Sequence, residues 1–262
     1  MIKITNLTKK FEGFAALDNL NLSVKKGSIY GLVGVNGSGK TTTIKHLAGI
    51  FKADSGDVHL DEQAIYDNPK MKAKIGYVAD DLYFFNGYNL KKLAKFYQKM
   101  YKTFDIERFN QLVEITGLDI KRRVSKFSKG MQKQAALTLS LSIMPEFLLL
   151  DEPIDGLDPI VRKKVFQEII DDVAARQMTV LISSHNLKEM DGICDHIGII
   201  KDGKMLMEKD LDELKSTMQA KLTSERGEPS LDEIFIHVYE SSSSHKEGRT
   251  PPPLQDTTKP SR

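Results

Sequence analysis

Gly34-Val35-Asn36-Gly37-Ser38-Gly39-Lys40-Thr41 places a lysine and a hydroxyl directly behind a run of glycines. Such a run lets backbone N–H groups turn inward, where a Cβ would clash or a positive φ would be strained. The helix expected behind it adds a positive dipole end and unpaired N–H groups. The whole stretch satisfies G-x-x-x-x-G-K-[ST], the pattern of a loop that wraps the phosphates of a nucleotide. In this reading Asn36, Gly37, Ser38, Gly39 and Thr42 surround the phosphates. Lys40 bridges the β- and γ-phosphates, and the Thr41 hydroxyl ligates Mg²⁺.

A nucleotide triphosphate site also needs acid. Residues 147–150 are four apolar residues that end in Asp151 and Glu152. A buried strand delivering two carboxylates at its C-terminal edge puts them where open α/β sheets bind ligands. Asp151 is expected to hold Mg²⁺ through water, and Glu152 to polarise the attacking water.

The elements that must position these residues follow from periodicity. Ile2 and Ile4, then Leu20, Leu22 and Val24, alternate with polar neighbours, which suggests antiparallel strands with one buried face. Residues 29–33 are continuously apolar, as in a central strand covered on both sides. After the glycines, Ile44, Leu47 and Ala48 mark one face of a helix. From Asn89 to Met144 the pattern is mainly helical, with Leu90, Leu93, Phe96, Tyr97 and Met100 on one face; a second helix starts after Gly130, and Pro145 ends it. Asp158 reads as an N-cap with Pro159 at the first helical position. Residues 179–183 and 197–200 give two more buried strands, and Asp202-Gly203 a hairpin turn. Leu231, Ile234, Phe235 and Val238 mark a last amphipathic helix. The expected fold is α/β: a P-loop NTPase core with an antiparallel β subdomain, spanning residues 1–240, and a helical insertion over about 87–143. Residues 241–262, rich in Ser and Pro, carry too little apolar surface to order themselves.

Composition narrows the class. The 262 residues are 40% hydrophobic and 28% charged, with a net charge of +2, so nucleic acid is not the expected partner. Lys91-Lys92 and Lys121-Arg122-Arg123 read as solvated helix faces. Cys194 is the only cysteine, which excludes an intramolecular disulfide and suits a reducing compartment. The chain opens on a strand pattern rather than a signal peptide, and no apolar run approaches the ~20 residues of a membrane span.

The segment Ser128-Lys129-Gly130-Met131-Gln132, about twenty residues before Asp151, resembles the signature loop of ABC-type ATPases in the form frequent among exporter subunits. Phe127 stands where that loop has Leu, Lys129 where it has its first Gly, and Met131 where it has Gln; Ser128 and Gly130 are kept. Gly156-Leu157-Asp158 is similar to the family's D-loop, and His185 to its switch histidine. Phe11 sits where the family stacks an aromatic ring on adenine, with Phe14 as a competitor. The resemblance implies that Ser128 and Gly130 bind the γ-phosphate of ATP held by a second subunit. His185 would contact the γ-phosphate beside Glu152. Asp80 departs from the pattern: it stands where the family has Gln, and a carboxylate there can still ligate Mg²⁺.

The resemblance therefore implies an ATP- and Mg²⁺-dependent ATPase that closes head-to-tail as a homodimer or heterodimer. It would sit at the cytoplasmic face of a membrane, drive polytopic membrane subunits, and serve export. The alternative is a soluble ABC ATPase outside transport.

Overall fold

The computed structural model describes residues 1–185, 190–221 and 230–244. In chain order it begins with β1 (Ile2–Phe11), β2 (Phe14–Val24), β3 (Ile29–Val33), α1 (Lys40–Leu47), β4 (Ser55–Leu60) and β5 (Gln63–Ala64). There follow α2 (Pro69–Lys72), β6 (Ile75–Val78), α3 (Leu90–Met100), α4 (Ile106–Thr116) and α5 (Lys129–Ser142). The rest is β7 (Phe147–Asp151), α6 (Pro159–Arg176), β8 (Thr179–Ser184), β9 (His196–Lys201), β10 (Lys204–Asp210), α7 (Leu211–Lys221) and α8 (Leu231–Ser244).

These strands form two sheets. The first has the order β2-β1-β4-β5 and is antiparallel throughout. Its alternation is visible in β1, where Ile2 and Ile4 are buried and Lys3 is exposed. The second has the order β10-β9-β3-β8-β7-β6, parallel except for the β9–β10 hairpin. All five residues of β3 are buried, as are all of β7 and β8, which explains their unbroken apolar runs. The mixed architecture is the one read from the sequence.

The central strand β3 lies between β8 and β9, both from far along the chain. The β9–β10 turn reaches back as well. Gly203 N–H donates to the Ser38 carbonyl at 2.9 Å, and its own carbonyl accepts from Asp18 N–H at 3.0 Å. The glycine-rich loop is thus braced from behind by the hairpin.

The helical insertion has its own core: Leu90 and Leu93 of α3, Phe109 of α4, and Ala135 and Leu139 of α5. Each of these helices starts on a polar cap, with Asn89, Asp105 and Ser128 accepting from the free N–H groups of the first turn. Helix α5 also packs Leu137 and Leu141 into the main core, so it belongs to both regions. Asp158 and Pro159 open α6 as expected.

β4, β5, α2, β6 and α7 were not read from the sequence; α2 and β6 have four residues each. β4 and β5 are short and polar, and α7 buries only Leu211 and Leu214 among its first residues. Helix α8 runs to Ser244, past the boundary expected at 240; the remainder of the Ser/Pro-rich end, 245–262, lies outside the described residues. No described helix is long and apolar enough to cross a membrane.

Candidate active site

The glycine-rich loop leaves β3 and turns into α1 through two left-handed residues, Gly37 at φ 80° and Gly39 at φ 112°. Gly39 is the N-cap of α1 and offers no side-chain cap, so the first N–H groups stay available for an anion. Lys40 Nζ, 5% exposed, donates to the carbonyls of Gly34 (2.7 Å) and Val35 (3.3 Å). It also pairs with Glu152 Oε1 at 3.3 Å. Ser38 is placed differently: its N–H donates to Val35 at 3.1 Å, and its buried hydroxyl points at neither a hydrogen-bond partner nor the cavity described below.

The register of β7 against β8 sets Asp151 opposite Ser183. Asp151 Oδ1 accepts from the Ser183 hydroxyl at 2.6 Å and from the Thr41 hydroxyl at 3.1 Å. Its Oδ2 is buried without a partner. Burial pushes the Asp151 carboxyl above its usual range, with the two hydroxyls acting against it. A buried carboxylate with an open oxygen beside a threonine hydroxyl is a hard-oxygen donor set that calls for a small cation, and it fits Mg²⁺.

Glu152 follows at φ 47°, a region that a residue with a Cβ enters only when its surroundings hold it there. Its N–H donates to Ser183 Oγ at 3.1 Å. Its Oε2 lies 2.9 Å from His185 Nδ1 and accepts from His185 N–H at 3.3 Å. Its carbonyl accepts from Lys133 Nζ at 2.6 Å, and the same ammonium pairs with Asp80 Oδ1 at 3.2 Å.

A cavity of about 330 Å³ is lined by Asn36, Gly37, Gly39, Lys40, Thr41 and Thr42, by Asp80 and Glu152, and by Phe11, Phe14 and Ala16. Phe11 meets Phe51 edge-on at 5.4 Å and carries Lys9 over its ring, whereas Phe14 is 68% exposed. Both rings flank the mouth, so the competition between them stands. The arrangement can seat a triphosphate against N–H groups and an ammonium, with a carboxylate beside its end.

Ser128 and Gly130 lie elsewhere and do not line this cavity. Ser128 Oγ accepts from Met131 N–H at 3.2 Å as the cap of α5. A Cβ on Gly130 would run into the carbonyl oxygen of Gly156, so the signature-like loop and the D-loop-like turn are in close backbone contact. Sequence reasoning missed Ser183 and Lys133. Ser183 is an ordinary strand residue until the register with Asp151 is known. Lys133 had one signal, as the lysine inside a helix that is otherwise buried almost throughout.

A family model described as ABC transporter matches residues 17–155, just over half of the chain. The chain is 37% identical over 215 residues to the ABC transporter ATP-binding protein YtrB of Bacillus subtilis, covering 82% of this chain and 74% of that one. This protein belongs to the ATP-binding subunits of ABC transporters. It is an ABC ATPase, and hydrolysis of ATP is its reaction. It is also 37% identical over 218 residues to the bacitracin transport ATP-binding protein BcrA of Bacillus licheniformis, across 82% of this chain and 71% of the relative. Among solved structures, an ATP-binding subunit of an ABC transporter superposes with a TM-score of 0.81 at 22% identity, over 91% of this chain and 99% of that one; this likeness speaks for the fold. A bacterial ABC transporter cassette solved as a dimer gives 0.72 at 25% identity, over 80% and 99%. The ABC ATPase therefore carries its glycine-rich loop and Glu152 in one cavity, Asp151 bonded to Thr41 beside it, and its signature-like loop outside it.

Proposed function

We propose that this ABC ATPase takes Mg-ATP between two head-to-tail subunits, identical or different, and drives export through polytopic membrane subunits at the cytoplasmic face. The observation that carries the reading is the convergence of Lys40, Thr41, Asp151, Glu152 and His185, from three separate stretches of chain, in direct contact with one another. The transport role draws on relatives such as the bacitracin transport protein and the lantibiotic transport ATP-binding protein SrtF of Streptococcus pyogenes, 34% identical over 215 residues.

The chain's own residues divide the work. Main-chain N–H groups around Gly37 and Gly39, the side chains of Asn36 and Thr42, and the α1 dipole take the phosphates. Lys40 exchanges its carbonyl and carboxylate partners for β- and γ-phosphate oxygens. Thr41, Asp151 and Asp80, whose second oxygen is not engaged by Lys133, would hold Mg²⁺. The ion supplies charge neutralisation on the phosphoryl oxygens when bound. Glu152 polarises water, its carboxylate oriented by the His185 ring. Phe11, with Phe14 beside it, receives the base. The Ser128–Gly130 loop, with the positive end of α5 behind it, serves the γ-phosphate of the facing subunit. ATP thereby favours the closed pair through its greater affinity for that state.

A second cavity, of about 410 Å³, supports membrane docking. It lies between the main sheet and the insertion and is lined by Tyr77, Leu82, Tyr83, Phe85, Phe96 and Met100, with Tyr83 85% exposed. The test is purification from detergent-solubilised membranes. A polytopic membrane protein should accompany the chain and raise its phosphate release. Phe96→Glu should break the association and leave ATP affinity unchanged. A chain that hydrolyses ATP at full rate with no membrane protein attached, and is indifferent to Phe96→Glu, would return the protein to a soluble role.

A further inference from the structure

We propose that Lys133 is a positioning residue for hydrolysis, holding the main chain of Glu152 in its left-handed conformation with Asp80 as its counter-ion. The inference rests on the reading of Glu152 as the group that polarises water. Lys133 sits in the second turn of α5 and is 7% exposed. A lysine so buried must be paired, and it has two partners: Glu152 O at 2.6 Å and Asp80 Oδ1 at 3.2 Å.

The first partner matters because of the backbone. Glu152 is held at φ 47° by four ties: Ser183 Oγ on its N–H, Lys133 on its carbonyl, and Lys40 and His185 on its carboxylate. Lys40 lines the cavity, so a phosphate competes for it directly. The Lys133 bond is charge-assisted and is made to the main-chain carbonyl, and Lys133 does not line the cavity that takes the phosphates. When the Lys40–Glu152 pair opens for ATP, Lys133 remains to fix where the carboxylate of Glu152 emerges.

The second partner makes this hold responsive. Asp80 lies just past β6, and its neighbours Ala79, Asp81 and Leu82 line the second cavity. Helix α5, which carries Lys133, begins at the Ser128 cap. One ammonium therefore joins the segment beside the apolar groove, the helix behind the signature-like loop and the residue at the reacting phosphate. A shift of Asp80 changes the position of Lys133, and with it the Glu152 carbonyl. Misplacement of a reacting group by an ångström costs about a hundredfold in rate, so a small displacement suffices.

The experiment measures kcat and KM for ATP of the full chain carrying Lys133→Met, Asp80→Asn and both, at saturating Mg²⁺. Wild type and Glu152→Gln are the reference. Activity in wild type that is lost in Glu152→Gln upholds the reading of Glu152 independently of the lysine. A positioning role lowers kcat at least about tenfold in Lys133→Met with KM within about threefold. Asp80→Asn lowers kcat about threefold, and adds nothing in the Lys133→Met background because its path is gone. Full kcat in Lys133→Met overturns the proposal, as does a rise in KM that accounts for the loss. Multiplying effects in the double variant also overturn it. Should Lys133→Met not fold, Asp80→Asn decides with free Mg²⁺ titrated, because Asp80 is 54% exposed: a fall in kcat of about threefold at constant KM that persists at saturating Mg²⁺ supports the proposal, and an unchanged kcat, or a loss that added Mg²⁺ restores, rejects it.

Discussion

Around Lys40, polar groups are engaged with one another: ammonium to carbonyl and carboxylate, threonine and serine hydroxyls to Asp151, imidazole to Glu152. Around Ser128, the side-chain bonds close the start of its own helix, Ser128 Oγ accepting from Met131 N–H and Gln132 Nε2 donating to the Phe127 carbonyl, and Gly130 lies against the backbone of Gly156. Both stretches are marked for phosphate, yet they are built differently. The first assembles an ion-paired and hydrogen-bonded pocket from distant parts of one chain. The second presents a helix start packed against the Gly156 backbone, outside the cavity that holds Lys40. In the proposed reading, the first is a site and the second is half of one.

The comparison can be broken most sharply at Glu152. A positioned base contributes about 10²–10⁴-fold, so Glu152→Gln should nearly stop phosphate release while ATP still binds. Hydrolysis at the wild-type rate would remove Glu152 from the chemistry. Next in size is Lys40→Ala, which deletes the one ammonium that lines the cavity among the described residues. ATP affinity by calorimetry should fall more than tenfold, a loss within the range of a charge-assisted hydrogen bond. An affinity within threefold of wild type would mean that the phosphates lie elsewhere.

Gly130→Ala sharpens the other half of the comparison. The added methyl group meets the Gly156 carbonyl, and overpacking of this kind costs about 1–3 kcal/mol. A fall in melting temperature of a few degrees is expected, together with a slower ATPase. ATP affinity of the single subunit should be unchanged, because the cavity does not include this loop. Weakened binding would merge the two regions into one. The smallest effect is expected at Asp80: Asp80→Ala should raise the Mg²⁺ concentration for half-maximal activity a fewfold, and Asp81→Ala should do much less. Equal, small shifts in both would leave Asp80 without a role at the metal.

What could be read in advance follows the same division. Lys40 and Thr41 stand next to each other after their glycines, and Asp151 and Glu152 end one apolar run, so local spacing reveals them. The two-sheet plan also follows from local pattern, since alternation in β1 and unbroken burial in β3 and β7 report how many faces each sheet covers. Ser183 and Lys133 are legible only once strand register and helix placement are known. β4 escapes for a different reason: Ser55, Gly56 and Asp57 are exposed, and its pairing with β1 rests on main-chain bonds. The backbone of Glu152 gives no sign of its positive φ in the sequence, because Glu is not a residue type that prefers it.

The brace behind the glycine-rich loop has a consequence for synthesis. Strand β3 finds both its sheet neighbours, β8 and β9, in the last third of the chain, and the Ser38 carbonyl finds its donor only at Gly203. A ribosome adds about 5–20 residues per second, so the loop leaves the exit tunnel several seconds before the strands that hold it. Pairings over such sequence distances form late. Nascent chains halted before residue 196 should therefore fail to retain a labelled ATP analogue, while chains extended beyond the β9–β10 hairpin should capture it. The nucleotide then acts as a late ligand of folding, arriving once the C-terminal strands have closed around the first half.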